Sequence, residues 1–337
     1  MDGTSNNREA REPVPRVTYL VVAYNQEDFI GESIQAAFAQ DYPNLQIVLS
    51  DDNSTDRTYA LMEEAVAAYR GPHRIVLNRA PGGRGILYHF CHAFRHADGE
   101  LVVGAAGDDI SLPNRVSRLV GAWNGTGAAA IYSAWNRVTV DGKFLSREGI
   151  GEQHDRDIDA YFPDREVTVT FGATAAYTAE LLRSFPVPDV PIWSEDYFLS
   201  AVAMLQGKEI LFLDEALVHY RQNPRAVRNF ASRAMDFRAY EEREQKVFAG
   251  MADLVEQFLA LRAAGSIPSK TRFNEAAALS DIAWYRFRST WPNSSLSHRL
   301  ATVLRFRSKQ RLRWLLPRAI GFEPFLCVKN LVRRVES

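Results

Sequence analysis

The chain has 337 residues, of which 46% are hydrophobic and 24% are charged, so it carries enough apolar material for a sizeable core. This composition excludes collagen-like, low-complexity and wholly disordered proteins. The 40 basic and 41 acidic residues nearly cancel, which argues against a protein-wide basic field for nucleic acid, so we expect no nucleic-acid partner.

Processing and membrane signals are few in this sequence. Cys91 and Cys327 are too few for a disulfide framework, which fits a reducing compartment. Residues 1–15 are polar and Pro-containing, so we expect a disordered tail without a secretory signal. No run reaches the roughly 18 apolar residues of a membrane-spanning helix. We therefore expect a cytoplasmic protein that either is soluble or lies at the inner face of the cytoplasmic membrane.

The first hundred residues alternate strand and helix patterns. Strands are predicted at 16–23, 45–50, 74–78 and 100–105, and helices at 28–40, 56–69 and 84–97. Such alternation predicts an α/β, Rossmann-like fold, with a mostly parallel sheet and helices on both faces. Ligands of such sheets bind at the carboxyl ends of the strands, so function is expected in the loops that follow them.

Beyond residue 112 the pattern is less regular. Helices are predicted at 113–124 and 195–206, strands at 128–134, 136–140, 209–213 and 216–220, an apolar stretch at 167–177, and a loop-rich segment at 141–165. From about residue 229 the chain is predicted to be almost wholly helical. We therefore divide it into a tail (1–15), an α/β domain (16–225) and a helical C-terminal region (226–337).

Three polar clusters fall where predicted strands end: AYNQED (23–28), SDDNSTD (50–56) and GDDISLP (107–113). Paired carboxylates after a buried strand repel each other unless a cation or a ligand compensates them. The alternative for the second cluster is that Asp51 and Asp56 only cap the helix that follows, because Asp is a preferred capping residue.

Segments 17–58, 99–116 and 193–204 resemble, in order and spacing, the opening, the metal-binding segment and the acceptor-side motif of family 2 glycosyltransferases. The resemblance covers about residues 16–225. It implies a GT-A fold and an inverting transfer of a sugar from a nucleotide-sugar to a hydroxyl of a glycan or lipid-linked glycan, as in polysaccharide biosynthesis.

The resemblance also implies roles for residues of the first two clusters. Val22, Ala23 and Tyr24 would line the base pocket, with Glu27 nearby and Asp52 bonded to the nucleobase. A carboxylate can accept the imide N–H of uracil or thymine, which gives a physical reason for this role of Asp52. We expect the donor to be a UDP-sugar.

In the third cluster, Asp108 corresponds to the aspartate that binds a divalent cation, Mg²⁺ or Mn²⁺, and Asp109 follows it. Two positions depart from the family pattern. Ala106 stands where many members have a further Asp, and Asn223 stands where relatives often carry a metal-contacting His. His219 could replace that ligand, or could be a packed residue of a short strand.

Glu195 and Asp196 resemble the acidic pair from which the family draws its general base. Asp196 is the expected base, removing the proton of the acceptor hydroxyl as that hydroxyl attacks the anomeric carbon. The alternative is that the pair only complements the dipole of the helix at 195–206.

Three other hypotheses stay open at this point. His89, His92 and His96 share one helical face, where they could bind zinc or could simply pack against the sheet. The protein could be a phosphatase-like α/β hydrolase with Asp51 as nucleophile. It could also be a catalytically silent scaffold that binds sugar nucleotides.

The C-terminal segment 299–334 combines ten Lys and Arg residues with a single acid, Glu323, and with interspersed apolar residues. This composition suits a helix that lies on an anionic membrane surface. The alternative is that its apolar residues pack on the catalytic domain.

Overall fold

The computed structural model describes residues 14–149, 161–164, 168–188, 191–192, 194–222, 237–291 and 295, with the backbone alone over 237–244. The chain divides into two compact units, one made of 1–229 with 257–274 and the other of 230–256 with 275–337. The sequence-based boundaries at 1–15, 16–225 and 226–337 stay a prediction.

The first unit begins with the alternating elements that the sequence predicts. They are β1 (Val17–Ala23), α1 (Ile30–Phe38), β2 (Leu45–Asp51), α2 (Thr58–Ala68), β3 (Arg74–Arg79), α3 (Gly85–Phe94) and β4 (Leu101–Ala106). The four strands pair in parallel in the order β3-β2-β1-β4, so their carboxyl ends meet at one edge of the sheet. The predicted α/β fold is confirmed here, with boundaries shifted by a few residues.

Burial explains why these segments form central strands and covering helices. Every residue of β2 is buried, as expected of a parallel strand that is covered on both faces. The apolar face of α1 supplies Ile30, Ile34 and Ala37 to the core, all of them at 0% exposure. The apolar runs therefore form the interior, and their polar ends form the rim where ligands can bind.

The second half of the sheet is mixed. Its elements are β5 (Ile110–Ser111), α4 (Arg115–Trp123), β6 (Ala130–Val138), β7 (Phe144–Glu148), a 3₁₀ turn (Gly172–Thr174), β8 (Ala175–Thr178), α5 (Ala179–Arg183), α6 (Glu195–Leu205) and β9 (Ile210–Arg221). The strand order continues β4-β8-β6-β9-β5, with β7 paired to β6. Of these pairings only β6 with β9 is parallel. The sheet is thus parallel over its first four strands and mixed beyond them.

The two short strands predicted at 209–213 and 216–220 are one strand, β9. Ser133 pairs with Leu213 and the next residue, Ala134, pairs with Ala216, so two residues bulge out of β9. The bulged Asp214 and Glu215 resemble a turn in the sequence, yet the bulge leaves them at the surface, where they form ion pairs with arginines. In the same way, the strands predicted at 128–134 and 136–140 are continuous in β6.

β7 lies in the segment predicted to be loop-rich, 141–165. Among the described strands β7 pairs only with β6, so it lies at an edge. An edge strand needs no apolar core face, and its sequence, FLSRE, has none. Asp141-Gly142 forms the turn between the two strands, and Gly142 has a positive φ of 83°. An edge strand of this kind carries little hydrophobic signal, which is why the pattern did not indicate it.

The helical prediction for the C-terminal region is confirmed over the described residues, with α7 (Phe237–Ala263) and α8 (Glu275–Thr290). Within the second unit, Arg286 of α8 forms ion pairs with Asp253 (2.6 Å) and Glu256 (2.7 Å) of α7. None of the described helices is both long and apolar enough to cross a membrane. The basic segment 299–334 lies outside the described residues.

Candidate functional site

The segments that follow β1 and β2 are tied together by hydrogen bonds. Asn25 and Asn53 adopt left-handed backbone conformations, with φ of 50° and 61°, which short polar side chains tolerate. The bonds are Asn25 N to Ser54 Oγ (2.9 Å), Gln26 N to Thr58 Oγ1 (2.7 Å), Glu27 N to Asp56 Oδ2 (3.1 Å), Thr55 N to Asn25 Oδ1 (2.9 Å) and Arg57 N to Glu27 Oε2 (3.0 Å). The first two polar clusters are therefore joined into one continuous surface, which forms a wall of the cavity described next.

Asp52 occupies that wall as a carboxylate without a full set of partners. It lines a cavity of about 510 Å³, within the size range of small-molecule sites. Its Oδ1 atom is buried and has no hydrogen-bond partner among the described residues. Burial, and then the neighbouring Asp51 charge, raise the pKa of Asp52 above its ordinary value. A ligand N–H donor at this oxygen would satisfy it.

Asp51 also has one buried oxygen without a partner among the described residues, Oδ1, but its side chain faces the protein interior and not the cavity. It is 0% exposed, accepts a hydrogen bond from Ser54 N (2.9 Å) and lies 3.3 Å from Arg79 Nε. It is not part of the cavity lining. Because a nucleophile must reach its substrate, this burial argues against the hydrolase hypothesis. Asp51 instead stabilises the turn after β2 through its contact with Ser54.

The turn from β4 to β5 brings Asp108 and Asp109 to the same cavity. Gly107 N donates to Val22 O (3.0 Å), and a Cβ at Gly107 would lie 2.7 Å from the Ala23 Cβ, so glycine allows this close approach. Asp109 accepts a hydrogen bond from Arg221 N (2.9 Å) at Oδ1, while its buried Oδ2 has no partner in the described structure. Burial, followed by repulsion from Asp108, raises the pKa of Asp109 well above its ordinary value.

Two buried arginines that the sequence analysis did not single out brace this turn. Arg115 is 0% exposed and donates to Ser111 Oγ (2.9 Å) and to Gly104 O (2.7 Å). Arg221 is 2% exposed and donates to Asp108 O (3.1 Å) and Glu32 Oε2 (2.7 Å). Their positive charges favour the ionised form of Asp109 and so offset part of its burial.

The predicted acidic pair begins α6 and lines the same cavity. Asp196 accepts at Oδ1 from Ser194 Oγ (2.7 Å) and Tyr197 N (2.8 Å), and at Oδ2 from Gly172 N (3.1 Å). A Cβ at Gly172 would collide with the Glu195 carboxylate. The lack of a side chain at Gly172 therefore leaves room for both acids at the cavity wall.

Eight of the ten predicted site residues meet in this one cavity: Val22, Ala23, Tyr24, Asp52, Asp108, Asp109, Glu195 and Asp196. Glu27 and His219 are not part of the lining. The Glu27 carboxylate is instead bonded to the backbone of Arg57. His219 lies on β9 opposite Ile110 of β5, and its Nδ1 is buried without a described partner.

The rest of the lining comes from positions to which the sequence analysis gave no role in donor binding or catalysis. They are Asn25, Gln26, Gly85, Ile86, His89, Phe90, Gly104, Ala105, Ala106, Phe171, Gly172, Ala173 and Tyr220. A local signal existed for His89, a polar residue on the apolar face of α3. For the residues near 172 and for Tyr220 no local signal existed. They reach the cavity only because β8 pairs with β4 and β6, and β9 pairs with β6 and β5.

The described residues contain no cluster of three or more His, Cys, Asp or Glu side chains that could hold a metal alone. His89 is bonded to Ser50 instead of meeting His92 and His96 at a zinc site. Asp108 and Asp109 do fit a hard cation, because they are adjacent carboxylates and one buried oxygen of Asp109 is unpartnered. A cation bound by Asp108 and Asp109 would need further oxygen ligands, which a bound substrate could supply.

Comparison with known proteins agrees with this geometry. The family model described as Glycosyl transferase family 2 matches residues 18–185. The succinoglycan biosynthesis protein ExoO of Rhizobium meliloti is 33% identical over 143 residues, which are 41% of this chain and 38% of ExoO. The chain thus spans well under half the length of the first curated relatives that it matches.

Solved structures share the fold at low sequence identity. The mannosyltransferase PcManGT of Pyrobaculum calidifontis, in complex with GDP-Man and Mn²⁺, is 19% identical, with a TM-score of 0.52 over 91% of this chain and 85% of its own. TarS 1–349 of S. aureus, in complex with UDP-GlcNAc, is 17% identical, with a TM-score of 0.52 over 82% and 72%. The family model assigns residues 18–185 of the chain to glycosyltransferase family 2, and these solved structures share the fold.

Proposed function

We propose that the protein is an inverting glycosyltransferase that moves a sugar from a UDP-linked donor to a hydroxyl of a glycan or lipid-linked glycan. The observation that carries this proposal is the lining of one cavity, where Asp52, the Asp108-Asp109 pair and the Glu195-Asp196 pair converge. These groups supply a hydrogen-bond acceptor for the nucleobase, an oxygen-rich cation site and a carboxylate that can act as general base. A sugar transfer of this kind needs all three.

Asp52 is the proposed anchor of the nucleobase. Its unpartnered, partly desolvated carboxylate oxygen suits the imide N–H of uracil. Tyr24 lines the cavity with 57% of its surface exposed, so its ring is available to stack on a planar base. Guanine also carries an N–H next to a carbonyl, and PcManGT and TarS were solved with GDP-Man and UDP-GlcNAc respectively. The choice of UDP therefore needs a direct comparison of the two nucleotides.

Asp108 and Asp109 are the proposed ligands of a divalent cation, Mg²⁺ or Mn²⁺. Such a cation supplies positive charge that stabilises the diphosphate leaving group. The Mn²⁺ in the PcManGT complex supports a cation at this kind of site. The protein's own contribution is to hold both carboxylates at the cavity wall through Arg221 and Gly107.

Asp196 is the proposed general base. Its three hydrogen bonds fix the orientation of the carboxylate, and Oδ2 accepts only one of them. A carboxylate oxygen has two lone pairs, so Oδ2 retains one that can accept the acceptor's hydroxyl proton. As the hydroxyl oxygen attacks the anomeric carbon, the sugar–phosphate bond breaks on the opposite face, which inverts the configuration.

A thermal-shift screen tests donor binding. UDP, GDP and their sugar conjugates are added with and without Mn²⁺, because a ligand that binds only the native state raises the melting temperature. We expect the largest rise with a UDP-sugar and Mn²⁺ together. If no nucleotide raises the melting temperature under any condition, the proposal is wrong.

A matched pair of variants tests the chemistry. Asp196→Asn keeps the shape of the side chain and removes its basicity, so turnover should fall by about two orders of magnitude or more while donor affinity is retained. Glu195→Gln serves as the control and should change turnover far less. Donor binding without measurable turnover by the wild-type protein would instead favour the silent scaffold, the reading suggested by Ala106 and by Asn223, which lies outside the described residues.

A further inference from the structure

His89 is a polar residue of the cavity that the proposed reaction does not use. It lies on α3, is 2% exposed and belongs to the cavity lining. Its Nε2 atom lies 2.9 Å from Ser50 Oγ. The described residues provide no hydrogen-bond partner for its Nδ1 atom, so one polar atom of a buried ring at the cavity wall is unused.

Two residues of the sheet, Ser50 and Asn78, fix the orientation of the His89 ring. Ser50 of β2 and Asn78 of β3 are directly paired neighbours, and Ser50 is fully buried. Asn78 Nδ2 donates to Ser50 Oγ (2.8 Å), which holds the hydroxyl that contacts His89. Because the parallel pairing of β2 with β3 holds Ser50 and Asn78 side by side, the imidazole cannot turn Nε2 toward the cavity without losing this contact.

The His89 ring is neutral at physiological pH. Burial, and then the nearby His92, lower the pKa of His89 to about 4. A neutral imidazole has one donor and one acceptor nitrogen and no charge for a diphosphate. It therefore suits an uncharged carbonyl or hydroxyl group.

The position of His89 relative to Asp52 indicates which part of a donor it faces. Its partner Ser50 lies near the end of β2, and Asp52 directly follows that strand. Both Asp52 and His89 line the same cavity, so a base held at Asp52 brings the nucleoside alongside His89.

Resting on the proposed function, we propose that His89 is a specificity-determining residue that hydrogen-bonds through Nδ1 to a base carbonyl or ribose hydroxyl of the donor nucleoside. The Ser50-Asn78 pair acts as its positioning support. Replacing His89 should therefore change which nucleotide is preferred, and not only how tightly nucleotides bind.

The test measures the affinities of UDP, 2′-deoxy-UDP, CDP and GDP by calorimetry for the wild type and His89→Phe, which keeps a ring and removes both nitrogens. We expect UDP affinity to fall about tenfold, the scale of one lost hydrogen bond, with a smaller loss for at least one other nucleotide. If the contact is to the 2′-hydroxyl, the variant stops distinguishing UDP from 2′-deoxy-UDP. If it is to the base, the discrimination against CDP or GDP changes instead. His96→Phe, just after the same helix and outside the lining, is the matched control, because no hydrogen bond in the described structure joins its side chain to Ser50 or Asn78.

Unchanged UDP affinity, or an equal loss for all four nucleotides, would overturn the assignment. Ser50→Ala provides a second variant in case His89→Phe does not fold, because it removes the support without touching the cavity. It should shift the same selectivity ratio by a smaller factor, and an unchanged ratio would contradict the proposal. If the wild type binds none of the four nucleotides, the proposed function fails as well, whereas binding with unaltered selectivity in His89→Phe defeats this inference alone.

Discussion

Asp52→Asn should weaken nucleotide binding and, at the same time, stabilise the unliganded protein. The substitution replaces a charged acceptor of the proposed imide N–H with a neutral one. A hydrogen bond to a charged group contributes about 1.5–3 kcal/mol and one to a neutral group about 0.5–1.5 kcal/mol, so the loss is about 1–1.5 kcal/mol; at 1.4 kcal/mol per factor of ten this corresponds to a roughly 5- to 12-fold higher Kd for UDP. Calorimetric titration with UDP measures this loss directly.

The stability effect follows from the raised pKa of Asp52. A carboxyl group whose pKa is higher in the folded than in the unfolded protein binds more protons when folded. Between those two pKa values, the free energy of unfolding therefore falls as the pH rises, and at neutral pH the ionised Asp52 is destabilising. Asn removes this effect, so the melting temperature without ligand should rise modestly at neutral pH and less in acid, since Asp52 is only half-buried.

Asp51→Asn is the matched control because it changes the adjacent carboxylate in the same way. Asp51 is fully buried against Arg79 and Ser54, so its loss should lower the melting temperature by the equivalent of about 1 kcal/mol. Nucleotide affinity should change little, because Asp51 does not line the cavity. A destabilised Asp52→Asn protein, or one that binds UDP like the wild type, would refute the reasoning.

Three further predictions concern other parts of the chain. Asp108→Ala should abolish the Mn²⁺ dependence of UDP binding while preserving the melting temperature, and a retained difference between Mn²⁺ and EDTA would argue against it. Gly172→Ala should place a methyl group against Glu195 and Asp196 and disturb the hydrogen bond from Gly172 N to Asp196 Oδ2, which lowers turnover with UDP affinity unchanged in calorimetry. The intact protein should co-sediment with anionic but not neutral vesicles at low salt, because segment 299–334 carries ten basic residues against one acidic residue. Binding that does not depend on salt or lipid charge would instead favour packing of this segment on the catalytic domain.

The first half of the fold could be predicted because its signals are local. Continuous apolar runs give the central strands β1, β2 and β4, and polar clusters directly after them give the edge where the cavity forms. Parallel strands place their carboxyl ends together, so Asp52 and Asp108 could be expected at one site although they are 56 residues apart.

The remaining features depend on contacts that no local pattern contains. The bulge at Asp214-Glu215 looks like a turn until β6 is paired beside it. Gly172 reaches the cavity through β8, which pairs antiparallel to β4, and Tyr220 reaches it through β9, which runs parallel to β6. Arg115 occurs in a sequence that resembles an ordinary amphipathic helix, and its burial follows from the packing of α4 against the strands.

The buried arginines also bear on the proposed cation site. Arg115 and Arg221 place positive charge beside Asp108 and Asp109 and so offset part of the negative charge of these carboxylates, although Arg221 is also paired with Glu32. With Ala106 adding no carboxylate, the protein alone then offers a divalent cation little net attraction. A bound diphosphate would restore the negative charge and supply the missing oxygen ligands. Cation and donor binding are therefore expected to be coupled, and because such coupling is reciprocal, each should raise the affinity for the other by the same factor.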